Sequence, residues 1–441
     1  MRLKIDNFAK IKHADLLIDG ITVIAGKNNT GKSTIGKVLY SMFNSLYDLD
    51  IKIENRREEE IFRICSRYIR NLFMHAKVRL EKSSSITNNR RVYDNIAKEL
   101  TKTIVEMDNS MFNERMYKEL FVDNCLKNGV ELKYDYIEDY VQSTFDDILL
   151  CKNNDDYKIA LEIIQRFFMQ IFGNQIQCLK KKDTVAQIQL TIKNKDVCIE
   201  FEESQCIKWT ADYNILHEAF LLDDPFLLDD LSEYYFFMTS SKGMRGQLKE
   251  KLDIAENDIM EGLFDAVKAK ENLKDIYEIL NQVTEGDIAV QNGQWRLNSE
   301  QFERPINFEN LSAGLKSFVL IKLLLEKGIL REKDVLILDE PEIHLHPEWQ
   351  LFYAEIIILL QKKFDLSIVV TTHSVHFLEA IEYYSKKHGL EAKCHYYMSN
   401  LEDGLAVFED VTMSLNKIYK QMVTPNMLLD KLKYDMVEDD E

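Results

Sequence analysis

The chain has 441 residues, a formal net charge of −18, 46% hydrophobic and 29% charged residues, and seven scattered cysteines with no C-x-x-C pair. That composition fits a soluble cytoplasmic protein of two or three domains, or one large domain with an insertion, and argues against a disulfide frame or a zinc site. No apolar run approaches the roughly 18 residues of a membrane span. The N-terminus has no apolar signal core, and the acidic mean field does not attract nucleic acid.

Residues 2–8 and 14–18 read as two strands joined by a turn around Lys10-Ile11-Lys12. Ile21-Thr22-Val23-Ile24-Ala25 is a short β-branched run, the mark of a buried strand. It leads into Gly26-Lys27-Asn28-Asn29-Thr30-Gly31-Lys32-Ser33, which fits G-x-x-x-x-G-K-[ST]. A helix then runs from Lys32 to Tyr47, with Ile35, Leu39, Phe43 and Leu46 on one side. Strand, glycine loop and helix together suit a polyphosphate. Gly26 and Gly31 let several N–H groups converge on one anion, and the helix N-terminus adds partial positive charge. Lys32 can reach the phosphates, and the Ser33 hydroxyl can bind Mg²⁺.

From about 50 to 172 the chain has no Pro, almost no Gly and long stretches of helical spacing, such as Val92, Ile96, Leu100 and Ile104. The spacing predicts a helical insertion over 51–183, without the sustained heptads of a long coiled coil. From 184 to 210 the period becomes two, which predicts a hairpin turning at Lys193-Asn194-Lys195-Asp196. Asp223-Asp224-Pro225-Phe226 reads as a turn, 244–281 as helix, and Ile288 to Leu297 as a hairpin around Asn292-Gly293.

Ser312 stands in N-cap position for an apolar helix through Phe318, Leu320, Ile321 and Leu325, with Gly314 beside it. Val335-Leu336-Ile337-Leu338 is a buried-strand run ending in Asp339-Glu340. Asp339 at the strand end is placed for the metal held by Ser33, and Glu340 for activating a water. Ser367 to Thr372 is a further strand, ending in a polar cluster with His373. Strands near 393–398 and 405–408, a helix from 413 to 433 and an acidic tail complete the chain. His344 and His346 invite a metal reading, but H-x-H in a loop needs further ligands.

The order of these motifs resembles the ABC-type ATPases, within them the branch of chromosome-maintenance, RecF-like and overcoming-lysogenisation-defect proteins. Asp339-Glu340-Pro341-Glu342-Ile343-His344-Leu345-His346-Pro347 and Thr372-His373-Ser374 carry the likeness, which covers residues 1–48 and about 305–385. It implies an α/β fold: an ABC-type P-loop sheet sandwiched by helices over 1–50 and 184–441, interrupted by the helical arm of 51–183. It also implies ATP and Mg²⁺ as ligands. ATP would be bound by Gly26, Asn28, Asn29, Thr30, Gly31, Lys32, Ser33 and Thr34, and Mg²⁺ by Ser33 and Asp339. Glu340 would be the catalytic base and His373 the switch histidine. Ser312, Gly314 and Lys316 would act in trans on the ATP of a second copy. The family's Q-loop glutamine has no clear match; Gln187 and Gln189 are the candidates.

No D-x-D of a TOPRIM nuclease and no H-N-H constellation follows His373. The chain therefore resembles stand-alone ATPases of anti-phage systems, such as the Septu ATPase, working as a homodimer or higher homo-oligomer with a separately encoded nuclease or toxin. The alternatives are a RecF-like repair ATPase that binds DNA directly, and a scaffold that binds ATP without turning it over. Intact Lys32 and Glu340 count against the scaffold. Arg63, Arg67 and Arg70 share one helical face, a candidate contact for DNA, RNA or an acidic partner.

Overall fold

The chain opens with a hairpin, β1 (Arg2–Phe8) and β2 (Ile11–Leu17), followed by β3 (Ile21–Gly26) and helix α1 (Lys32–Leu46). The structure is a computed structural model that describes residues 1–75, 86–181, 184–231, 244–254, 273–291, 294–299 and 302–424. The first turn falls at Ala9-Lys10, earlier than the sequence suggests. Phe8 pairs with Ile11, and Ala9 takes the left-handed conformation that closes so short a loop.

Helices α2 (Leu49–His75), α3 (Ile86–Glu106), α4 (Glu114–Lys127), α5 (Tyr134–Lys152) and α6 (Asp156–Phe172) come next. The apolar stripes of α2 to α5 meet in one core that includes Ile61, Ile69, Ile96, Leu100, Phe121 and Ile148. Within it the Phe121 and Tyr140 rings stack. This compact unit runs from Asp48 to Ile163, and the rest of the chain forms a second unit. The unit thus ends some way before the expected residue 183. The physical reason lies in the second half of α6. Phe172 and Phe168 pack their rings against Phe8 and Phe201 of the sheet, each at 4.9 Å between centroids.

The second unit continues with β4 (Ala186–Ile192), β5 (Lys195–Glu202), β6 (Gln205–Ala211) and β7 (Ala219–Leu222). A 3₁₀ turn (Pro225–Leu231) and helices α7 (Met244–Ile254) and α8 (Lys274–Val283) lead to a small sheet of β8 (Asp287–Gln291), β9 (Gln294–Asn298) and β10 (Ile306–Asn307). Then come α9 (Ala313–Glu326), β11 (Val335–Asp339), α10 (Pro347–Phe364), β12 (Ser367–Thr372), α11 (Val375–Lys387), β13 (Cys394–Glu402) and β14 (Leu405–Asp410).

Among the described residues the large sheet has eleven strands in the order β6-β5-β4-β1-β2-β14-β13-β3-β12-β11-β7. The segment from β13 to β7 is parallel, and the pairings from β6 to β2 are antiparallel. Phe318, Leu336, Val370, Ile357 and Phe377 are fully buried where α9, α10 and α11 cover the parallel strands. The fold is thus the mixed α/β sheet with covering helices that the sequence predicts.

Several boundaries differ from the sequence reading. The expected hairpin over 184–210 is three strands, and its first turn is only Lys193-Asn194, both left-handed, as a two-residue hairpin turn requires. Asp223-Asp224 follows an unforeseen strand, β7. Of the helix expected over 244–281, α7 and α8 are the described parts. Residues 255–272, Asn292-Gly293 and the acidic tail lie outside the described residues, as does the expected helix beyond residue 424.

Candidate functional site

The loop after β3 is held from two sides. Gly31 precedes α1 with φ 84°, a left-handed conformation open to glycine at little cost. A Cβ on Gly26 would lie 2.2 Å from Ser399 Oγ, so only glycine lets β13 approach this closely. Ser399 is fully buried; its hydroxyl donates to Thr30 Oγ1 at 2.6 Å, and Ala25 O lies 3.3 Å away. Thr30 also donates to Lys27 O (2.7 Å), and Lys10 Nζ donates to Asn29 O (2.5 Å). Neither Ser399 nor Lys10 stood out in the sequence. Ser399 is 369 residues from its partner, and it arrives because β13 pairs with β3 in register Ser399↔Gly26.

Lys32 is 4% exposed although it carries a charge. Its ammonium donates to Gly26 O (3.0 Å) and Lys27 O (2.9 Å) and lies 3.2 Å from Glu340 Oε1. These partners offset the cost of burying the cation. Glu340 sits just past β11 in the left-handed conformation (φ 48°), a strained position for a residue with a Cβ. Its N–H donates to Thr371 O (3.1 Å) and Thr371 Oγ1 (2.9 Å), which hold the strained peptide in place.

Asp339 accepts from the Thr371 hydroxyl at 2.5 Å. Burial pushes its carboxyl above the usual carboxylate range, while hydrogen bonds from Thr371 and Ser33 pull it back. The Ser33 hydroxyl and the Asp339 carboxylate therefore converge, two hard oxygen donors of the kind Mg²⁺ prefers. His373 Nδ1 lies 3.5 Å from Glu340 Oε2 and 3.5 Å from Glu342 Oε1. Burial likewise raises the Glu342 carboxyl, opposed by hydrogen bonds from Thr372 and the His373 backbone.

The structure thus brings the loop, Lys32, Ser33, Asp339, Glu340 and His373 to one edge of the sheet. Beside them a small cleft of about 40 Å³ is lined by Asp223, Asp224, Asp339, Glu340, Ser317 and His344. Asp223 and Asp224 follow β7, the parallel neighbour of β11, and both pair with Arg245. The four apolar residues of β7 before the paired aspartates were the only sequence signal for this strand. Gln187 and Gln189, in contrast, sit on β4 opposite Asp6 and Lys4. Five strand spacings separate β4 from β3, or about 24 Å. They are remote from the loop after β3; their candidacy as the Q-loop glutamine rested on residue type alone.

Ser312 caps α9, its hydroxyl accepting from Leu315 N–H at 3.3 Å. A Cβ on Gly314 would come within 2.8 Å of His344 O, so α9 packs directly on the loop after β11. Lys316, the third residue of the expected trans set, lies further along α9. It is 2% exposed, paired with Asp229 at 2.5 Å and 4.7 Å above the Phe226 ring, so its charge is already committed within its own chain. His346 caps α10, accepting from Glu348 N–H at 3.4 Å, and His344 packs edge-on against Phe226.

In the helical unit Arg63, Arg67 and Arg70 line an open groove with Phe62, Ser66 and Met74. Arg63 pairs with Glu60 and Arg70 with Asp94, both at 3.0 Å, which spends part of the positive charge.

Residues 1–378 match a family model described as an AAA ATPase domain. Among solved structures the chain is similar to an SMC head bound to the C-winged helix domain of ScpA, with 11% identity, 94% of this chain and 98% of that chain covered, and a TM-score of 0.44. It is similar to the SMC head domain from Thermotoga maritima, with 9% identity, 93% and 98% covered and a TM-score of 0.39. A third likeness is the Pyrococcus furiosus SMC head with an extended coiled coil bound to the C-terminal domain of ScpA (10% identity, 98% of each chain, TM-score 0.40). No curated protein matches. Among the described residues no helix is long and apolar enough to cross a membrane.

Proposed function

Since the chain belongs to the AAA ATPase domain family and hydrolyses ATP, we propose that it works as a dimerising switch, the ATPase subunit of an anti-phage system that controls a separately encoded nuclease or toxin. The observation that carries the switch is the pair of half-sites. One is the loop with Lys32, Ser33, Asp339, Glu340 and His373; the other is the capped N-terminus of α9 at Ser312 and Gly314. A helix N-terminus favours an anion. Two copies facing head to tail, related by two-fold symmetry, give each bound ATP the α9 terminus of the other copy.

Within one copy, the N–H groups from Gly26 to Thr34 and the Lys32 ammonium bind the phosphates. Ser33 and Asp339 hold Mg²⁺, which supplies charge neutralisation of the phosphates when bound. Lys32 at present contacts two loop carbonyls and Glu340. A phosphate that draws Lys32 away frees the Glu340 carboxylate to accept a proton from the attacking water. The base thus becomes available only with nucleotide in place. His373, beside Glu340, orients that water or the terminal phosphate.

β13 and β14 are members of the ATPase sheet, and Ser399 of β13 braces the loop. They serve the nucleotide site.

The test is phosphate release from two variants and their mixture. Ser312→Arg and Lys32→Ala should each be inactive alone. After subunit exchange, half of the dimers are mixed and each has one intact composite site, so about a quarter of wild-type activity returns. A mixture as inactive as its parents, or full activity in Ser312→Arg alone, counts against the dimer. Co-purification of a nuclease or toxin encoded beside this chain, with its activity changed by ATP, tests the effector role.

A further inference from the structure

Glu342 is the most deeply buried carboxylate at the site, 3% exposed, yet no role described so far accounts for it. Its Oε1 accepts from Thr372 Oγ1 at 2.6 Å and from the His373 N–H at 3.0 Å. Its Oε2 is buried with no hydrogen-bond donor among the described residues. A buried carboxylate with one oxygen unused costs stability, and an apolar side chain of similar volume would avoid that cost. The turn after β11 delivers it there. Glu340 reverses the chain with its positive φ, Ile343 N–H donates to Glu340 O, and Leu345 N–H donates to Glu342 O.

We propose that Glu342 is a positioning residue for ATP hydrolysis, holding His373 in place against Glu340. It fixes the His373 backbone through the N–H and through Thr372, one residue earlier. Its charge faces His373 Nδ1 at 3.5 Å, and Glu340 faces the same nitrogen at 3.5 Å. The two carboxylates flank Nδ1 and so fix how the ring is turned. Glu342 touches neither substrate nor reacting atoms in this scheme; it acts through His373. The inference rests on the placement of His373 in the hydrolytic site.

The experiment is a double-mutant cycle on the full chain: wild type, Glu342→Gln, His373→Ala and the double variant. Phosphate release gives kcat, titration with a non-hydrolysable ATP analogue gives Kd, and thermal melts report folding. Glu342→Gln keeps the volume and an oxygen for Thr372 and the His373 N–H while removing the charge. It should lower kcat about tenfold and leave the analogue Kd within about twofold. In the His373→Ala background, itself impaired, it should have no further effect. Wild-type kcat in Glu342→Gln, or the same loss in both backgrounds, overturns the proposal. Wild-type kcat in His373→Ala overturns the placement of His373, a separate and recognisable failure. If Glu342→Gln does not fold, Thr372→Val replaces it in the cycle: a several-fold kcat loss confined to the His373-containing background supports the proposal, and wild-type kcat rejects it.

Discussion

The two halves of the large sheet use the same backbone hydrogen bonds to different ends. In the parallel half, all six residues of β3 and Val335–Leu338 of β11 are buried. In the antiparallel half, β1 alternates, with Leu3 and Ile5 buried between the more exposed Arg2, Lys4 and Asp6. Parallel strands finish at one edge. The registers Ala25↔Thr372, Thr371↔Asp339 and Gly26↔Ser399 therefore bring one polar group from each strand end to the same place. Antiparallel strands finish at alternate edges, so their polar residues spread over a solvent face instead of converging. The direction of the strands, more than their composition, decides which half carries chemistry.

Lys32→Ala attacks the parallel edge most directly and has the largest expected effect. Affinity for a non-hydrolysable ATP analogue should fall about thousandfold, roughly 4 kcal/mol, in isothermal titration. Wild-type affinity in the variant would remove Lys32 from the site and undo the contrast between the halves. A core change in the antiparallel half should behave in the opposite way. Ile188→Ala on β4, fully buried, should cost about 3 kcal/mol in denaturant unfolding and leave analogue affinity unchanged in the folded fraction. A large loss of affinity there would mean that the wing also shapes the site. Ser399→Ala should produce the smallest effect, since one neutral hydrogen bond contributes about 1 kcal/mol. A fall of about fivefold in analogue affinity is expected, and an unchanged value would assign Ser399 to packing alone.

What could be read from the sequence alone was local. The glycine loop between Val23 and Ile35, the Asp339-Glu340 strand end, the Ser312 cap and the helical spacing of α2 to α6 each depend on neighbours within a few residues. Backbone preference and face periodicity act over that range. What only the tertiary structure decided depends on which strand lies beside which. Ser399 against Thr30, Glu342 beneath Thr372, Lys316 spent on Asp229, and Gln187 and Gln189 far from the loop all follow from strand order and burial. The same is true of the end of the helical unit within α6, drawn back by Phe168 and Phe172 packing on the sheet. A residue's type and spacing set its local conformation. Its partner is set by long-range pairing, whose free energy is spread over the whole core and leaves no mark in any one stretch of sequence.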